Sequence, residues 1–272
     1  MTEAGSAQPT KGESVPAVDA LRVRLDAGEL LFGAFLNLGS AVTAEILASA
    51  GLDWVVIDLE HGAGSETDAL SQIQAVAGTD ASALVRVESL ERSRFQRALD
   101  MGAVGVIVPR LQTVADAELA LANSRYCKQR GIAFSTRARG WAGASHADLL
   151  RADEQVICAL QIETLDALRS AREIAALDGV DILFVGPADL ANSLGIVGGA
   201  DHPDLLESAA QVSSAAAEFG KTAGVLVATA ELAETYVQIG FRFVGCSSDA
   251  GLLANEAKRV AEKLRSLPLP TK

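Results

Sequence analysis

From residue 20 onward the chain alternates short apolar, partly β-branched runs with longer amphipathic stretches. The runs are LLFGAFL (30–36), WVVID (54–58), ALVRV (83–87), GVIVP (105–109), VICALQI (156–162), DILFVG (181–186), AGVLVA (223–228) and FRFVGC (241–246). Each is nearly continuous rather than alternating in polarity, which predicts parallel strands covered on both faces. The stretches between them include AVTAEILASAG, ERSRFQRALDMG, TVADAELALANSRY, ETLDALRSAREIAALDG and TAELAETYVQIG. They read as helices, and several close on a glycine suited to a C-cap. Eight strand-plus-helix units in about 250 residues predict a single-domain (β/α)8 TIM barrel. An open doubly wound sheet has fewer strands and a glycine-rich first turn, and this chain has neither GxGxxG nor a P-loop.

Three segments depart from the repeat. Residues 1–18 are polar and rich in small side chains, so a flexible tail is expected ahead of a barrel domain spanning 19–272. The tract CKQRGIAFSTRARGWAGASHADLL, residues 127–150, is long for a connection and rich in Arg, Ser and Gly, the kind of loop that is functional or mobile. The final stretch, AGLLANEAKRVAEKLRSL, predicts a long helix with one apolar face. It either closes the barrel wall or packs on a neighbouring subunit.

Composition then removes several function classes. With 272 residues, 49% hydrophobic and 21% charged, the chain is globular and long enough for a sizeable core. A formal charge of −12 and a pI near 4.7 repel phosphate backbones and anionic membranes, so neither nucleic acid nor membrane is expected as a partner. No apolar run reaches the ~18 residues of a membrane span. The N-terminus lacks both an apolar core and early arginines, as neither a signal nor a transit peptide would. Cys127, Cys158 and Cys246 lie far apart without CxxC spacing, which fits a reducing cytoplasm.

In such a barrel the chemistry sits at the C-terminal ends of the strands. Strand two delivers Asp58, Glu60 and His61 there, strand three Arg86, and strand four Pro109 and Arg110. Strand five adds Gln161 and Glu163, strand six Gly186, Pro187 and Asp189, and strand eight Ser247, Ser248 and Asp249. Charged groups are costly to bury unpaired, so a core strand that runs into acid, acid and imidazole borders a polar cavity. Glu163 and Asp189 also open helices, where a carboxylate serves the helix dipole, and Arg86 could simply neutralise a neighbour. Together the set can do more. Two carboxylates could hold a hard divalent cation with open positions, an arginine could neutralise a developing oxyanion, and a histidine could move protons near neutral pH. A Schiff-base mechanism needs a lysine at this face. Of the six lysines only Lys221 adjoins a strand, and it adjoins the beginning.

DLEHG (58–62), LVRV (84–87), LDMGAVGVIVP (99–109), QIET (161–164) and GPADLANSLG (186–195), in that order, resemble the HpcH/HpaI family of metal-dependent (class II) pyruvate aldolases, from about residue 31 to 255. The family's two metal carboxylates are matched by Glu163 and Asp189, and its histidine and arginine by His61 and Arg86. The resemblance implies reversible cleavage of a 4-hydroxy-2-oxo acid to an aldehyde and pyruvate, or a close 2-oxo acid such as hydroxypyruvate, through an enolate. It implies Mg2+, Mn2+ or Co2+ on Glu163 and Asp189, and the substrate carboxylate held by Gln161 and the backbone around Gly186, Pro187 and Ala188. Arg86 would face the enolate oxygen, and His61, oriented by Asp58 or Asp100, would serve as base through water. A homohexamer, a trimer of dimers exchanging C-terminal helices, is also implied. Many members carry a Pro-Pro-x-Gly-x-Arg-Gly tract where this chain reads CKQRGIAFSTRARGWAG. Two alternatives stand beside this reading: an acyl-CoA lyase of the related branch, and a metal-binding homologue without catalysis.

Overall fold

Trp54 and Gly33 sit opposite each other on the first two strands, and their pairing shows how the barrel closes. A Cβ at Gly33 would lie 2.1 Å from the Trp54 side chain, so only glycine leaves room for the indole. The indole stacks on Phe243 of the eighth strand, 4.0 Å between centroids and 5° from parallel. Large aromatics thus fill the barrel where a smaller opposing residue yields space.

The computed structural model describes residues 17–141 and 145–268. Eight parallel strands close in chain order: β1 Leu31–Leu36, β2 Trp54–Asp58, β3 Ser82–Arg86, β4 Gly105–Val108, β5 Ile157–Ile162, β6 Ile182–Val185, β7 Thr222–Val227 and β8 Phe243–Ser248. The helices are α1 Ala17–Asp26, α2 Ala41–Ala48, α3 Glu66–Val76, α4 Arg92–Asp100, α5 Val114–Ser124 and α6 His146–Gln155. They continue as α7 Leu165–Arg169, α8 Ala171–Ala175, α9 Pro187–Ser193, α10 Pro203–Glu218, α11 Ala230–Gln238 and α12 Asp249–Arg265. This is the (β/α)8 barrel expected. One apolar cluster, with Phe35, Leu84 and Phe184, fills its interior, and a larger one lies between strands and helices.

The base of the barrel is sealed by α1. Leu21 and Leu25 are buried in the interior cluster. Arg22 donates to Asp181 (2.7 Å) and Arg24 to Asp53 (2.6 Å), two carboxylates just ahead of β6 and β2. The expected tail therefore ends earlier than residue 18: Ala17 and Val18 already belong to α1, and 1–16 lie outside the described residues.

Three other expectations shift. The stretch ETLDALRSAREIAALDG is two short helices broken at Ser170, which ends α7 and begins α8. The tract 127–150 is a connection from α5 to β5, so it lies at the base, opposite the strand C-termini, and its latter part forms α6 behind a Ser145–Asp148 capping box. Residues 142–144 of it lie outside the described residues. Lastly, β8 runs two residues further than FRFVGC because it carries a bulge: Gly33 pairs with Gly245 but Phe35 with Ser248, and Ser247 takes a positive φ of 63°. The extra residue re-aims the strand end and leads directly into α12.

Beyond its first turn α12 leaves the barrel wall. Leu253 and Leu264 are 63% and 61% exposed. On the outer face of β8 and β1, a groove of about 490 Å³ remains open, bordered by Phe32, Leu52, Ala233, Val237 and Cys246.

Candidate active site

Asp58 and Arg86 are direct partners across β2 and β3, so both side chains emerge from the same level of the barrel. Arg86 donates from Nε to Oδ1 (2.8 Å) and from Nη2 to Oδ2 (2.7 Å). Asp58 Oδ1 also accepts the backbone N–H groups of Glu60 (3.1 Å) and His61 (3.2 Å), and Oδ2 accepts Asn37 Nδ2 (2.6 Å). Burial alone would raise the Asp58 pKa, but the Arg86 bonds and charge outweigh it and hold the carboxyl below the usual carboxylate range. The guanidinium is flanked by Glu60 (Nη1 to Oε2, 3.2 Å) and by the Phe35 ring, 5.1 Å from its centroid.

Glu163 follows β5 and is buried. Its Oε1 accepts the Arg110 backbone N–H (2.6 Å), presented by a residue at φ 57°, and Oε2 accepts Gln161 Nε2 (2.6 Å). Gly186 lies against it: a Cβ there would stand 2.6 Å from Oε2 and 3.0 Å from Gln161 Nε2. Burial pushes the Glu163 carboxyl up to about 7; the Arg110 N–H opposes this, and the charges of Asp189 and Glu60 add to it. Glu60 is raised too, by burial first.

A cavity of about 690 Å³ opens at the strand C-termini, with Arg86, Gln161, Gly186, Pro187, Ala188 and Asp189 in its lining. Six of the ten sequence-predicted residues therefore share one wall. Glu163 lies directly behind it, bonded to Gln161, and Asp58 lies behind Arg86. His61 stands at the rim, its side chain 65% exposed, with Nε2 3.8 Å from Glu60 Oε2.

The expected orientation of His61 needs correction within the chain. Asp58 receives the backbone of His61, and its carboxylate oxygens are committed to Arg86 and Asn37. Asp100 ends α4 at the base of the barrel, where Arg130 donates to it (2.8 Å), so it is at the opposite end from its own chain's cavity.

Sequence reasoning passed over three contributors. Asn37, the first residue beyond β1, lines the cavity and bonds Asp58. It was findable by the rule that found the others, a polar residue at a strand's C-terminal end. Glu60 was noted at its strand end but given no place beside Arg86. The Arg110 contribution is a backbone N–H, which no side-chain pattern reveals.

The residues fit a divalent cation. A buried carboxyl that is hard to ionise, with two further carboxylates near it, is relieved by a cation, and Gln161 Oε1 is buried without a hydrogen-bond partner among the described residues. Among the described residues no trio of His, Cys, Asp or Glu is spaced to hold a metal by itself. A pair of carboxylates leaves positions for water and a chelating ligand.

The family model for HpcH/HpaI aldolase/citrate lyase matches residues 31–256. The chain belongs to this family. The hydroxypyruvate/pyruvate aldolase of Paraburkholderia phytofirmans is 35% identical over 254 residues, 90% of this chain and 97% of that one. The 4-hydroxy-2-oxo-heptane-1,7-dioate aldolase of Escherichia coli is 33% identical over 248 residues, covering 90% and 94%. A crystal structure of a family protein from Burkholderia cenocepacia superposes with a TM-score of 0.85 at 35% identity, covering 91% of this chain and 99% of that one. The HpcH/HpaI aldolases are generally metal-dependent enzymes.

Proposed function

We propose that the protein is a class II aldolase that reversibly cleaves a 4-hydroxy-2-oxo acid to pyruvate, or a close 2-oxo acid such as hydroxypyruvate, and an aldehyde. The observation that carries this reading is one cavity at the strand C-termini lined by Asp189, Gln161 and Arg86, with Glu163 directly behind it on Gln161. Among the described residues no lysine lines that cavity, which leaves an amine-based route without its nucleophile.

Glu163 and Asp189 would hold Mg2+, Mn2+ or Co2+, whose contribution when bound is to polarise the keto group as a Lewis acid. Gln161 and the backbone N–H groups around Ala188 receive the substrate carboxylate at the start of α9, with Gly186 and Pro187 shaping the approach. Arg86 faces the negative charge that develops on the keto oxygen. Because its Nε and Nη2 are spent on Asp58, it meets that charge already oriented. His61, exposed at the rim, takes the proton of the 4-hydroxyl through water as the carbon bond breaks.

We further place the enzyme as a homo-oligomer, a hexamer built as a trimer of dimers. The open groove on β8 and β1 lies where the helix after β8 packs in a closed barrel, while this chain's own α12 stands off with its apolar residues exposed. A neighbour's α12 suits that groove. Free thiols at all three cysteines support a cytoplasmic setting. Among the described residues no helix is long and apolar enough to cross a membrane.

Proton NMR of pyruvate in D2O tests the reading, because exchange of the methyl protons reports removal of a proton at C3 without needing the aldehyde. Exchange should vanish on chelation and return with Mn2+. Absence of exchange with every divalent cation would overturn it.

A further inference from the structure

A line of hydrogen bonds joins the start of α12 to Arg86. Asp249, the first residue of α12, is buried and accepts the backbone N–H groups of Asn37 (2.7 Å), Leu38 (3.3 Å) and Ala250 (2.8 Å), and the Thr43 hydroxyl (2.7 Å). The Asn37 carbonyl accepts the N–H of Ala63 (2.8 Å). Both backbone groups of Asn37 are thus fixed, and its side chain donates to Asp58 Oδ2 (2.6 Å), the oxygen that also takes Arg86 Nη2.

We propose that Asn37 is a positioning residue for Arg86, and that Asp249 couples the seating of α12 to it. Rotation of a carboxylate about its terminal torsion is soft, so the plane of Asp58 is set by its donors. Arg86 meets that carboxylate through a planar two-point contact, and its guanidinium turns wherever the carboxylate turns. Asn37 is the second donor on Oδ2, the oxygen that Arg86 Nη2 also meets. Asp249 fixes where Asn37 stands, and it does so from the helix that we place in a neighbour's groove. Strain on α12 therefore reaches the group facing the reacting oxygen through two side chains.

The inference rests on Arg86 facing the developing charge, and the experiment separates the two. Turnover is measured on the full-length Mn2+-loaded protein, as pyruvate methyl exchange and as oxaloacetate decarboxylation. Misplacing a preorganised group by a fraction of an ångström to an ångström costs up to about 10²-fold. Asn37→Ala should lower kcat at least about tenfold, with KM held within about twofold. Asn37→Asp should fall further, because a carboxylate then faces Asp58. Asp249→Asn should lower kcat in the same way, and the double variant Asn37→Ala/Asp249→Asn should be no worse than its worse parent, as members of one path behave. Thr43→Val removes a bond to Asp249 without touching Asn37 and should keep kcat while lowering Tm. Light scattering checks that each variant assembles as the parent does. If Arg86→Ala keeps its turnover, the reading of Arg86 fails. If Arg86→Ala loses turnover while Asn37→Ala and Asn37→Asp keep theirs, the positioning role is overturned. Additive losses in the double variant would overturn the coupling through Asp249. If Asp249→Asn does not fold, the two Asn37 variants decide the positioning role, and Asp249→Ser stands in for it in the cycle.

Discussion

Asp58 and Arg86 meet fork to fork across adjacent strands, two nitrogens on two oxygens at 2.8 and 2.7 Å, with both residues largely buried. A lysine cannot reproduce that contact, because a single ammonium lacks the planar pair of donors. Arg86→Ala should lower kcat by about 10²- to 10³-fold, the scale for losing one preorganised donor. Arg86→Lys should recover only part of it. Steady-state kinetics with either substrate class check this, and near-normal kcat in Arg86→Ala would make the pair purely structural.

The same pair gives a pH dependence of stability. The folded pKa of Asp58 is held below its ordinary value, so its contribution is fully present above about pH 3.8 and is lost as pH falls through the folded value. Asp58→Asn leaves a buried guanidinium without its counter-charge and should cost about 3 kcal/mol at pH 7. Urea unfolding at a series of pH values should show wild type and variant converging below about pH 4. A constant gap down to the lowest pH would mean that the charge of Asp58 carries none of the difference.

Gly186 should be sensitive beyond its size. A methyl group there would stand 2.6 Å from Glu163 Oε2 and push the carboxylate off its place. Gly186→Ala should weaken Mn2+ binding at least about tenfold, in the range seen when a ligand's support is disturbed, with little loss of Tm. Calorimetric titration measures the affinity and a thermal scan the Tm, and unchanged affinity would remove Glu163 from the metal.

His61 and the metal carboxylates separate by reaction. Retro-aldol cleavage needs a base for the hydroxyl proton, whereas oxaloacetate decarboxylation does not. His61→Ala should lose retro-aldol activity by about 10²-fold or more and keep most of its decarboxylation, while Glu163→Ala loses both. Equal losses in His61→Ala would make it an organiser of the whole site.

The groove on β8 and β1 makes a prediction about size. Phe32, 42% exposed there, should be covered in the assembly. Phe32→Glu, which places a charge in an apolar seat, should shift the protein toward smaller species in light scattering at micromolar concentration. An unchanged mass would show that the groove is not an interface.

Much of this molecule is readable from order and spacing. WVVID was placed to the residue because an unbroken apolar run leaves little choice of strand, and its abrupt change to Asp58-Leu59-Glu60-His61 marks the edge of the core. Arg86 and Glu163 were found by the same rule. What resisted reading depends on contacts distant in sequence. The bulge in β8 is visible only once Gly245 is seen beside Gly33, and the end of that strand was missed by two residues for that reason. The tract 127–150 could not be assigned to one end of the barrel until α5 was seen to precede it. Asp100 is paired with His61 by resemblance alone, and sequence carries no sense of which end of a helix faces its own chain's cavity.

The helix that stoppers the base has a kinetic consequence. With Leu21 and Leu25 packed among the side chains that fill the strand bundle, the barrel interior is a plug rather than a pore, and the cavity opens at the strand C-termini. On the proposed reading, a 2-oxo acid held by Gln161 and the start of α9 would have the aldehyde fragment between it and the rim. Release is then expected in sequence, aldehyde before oxo acid. Product-inhibition patterns should carry that asymmetry, with pyruvate competing against the intact substrate and the aldehyde competing against none.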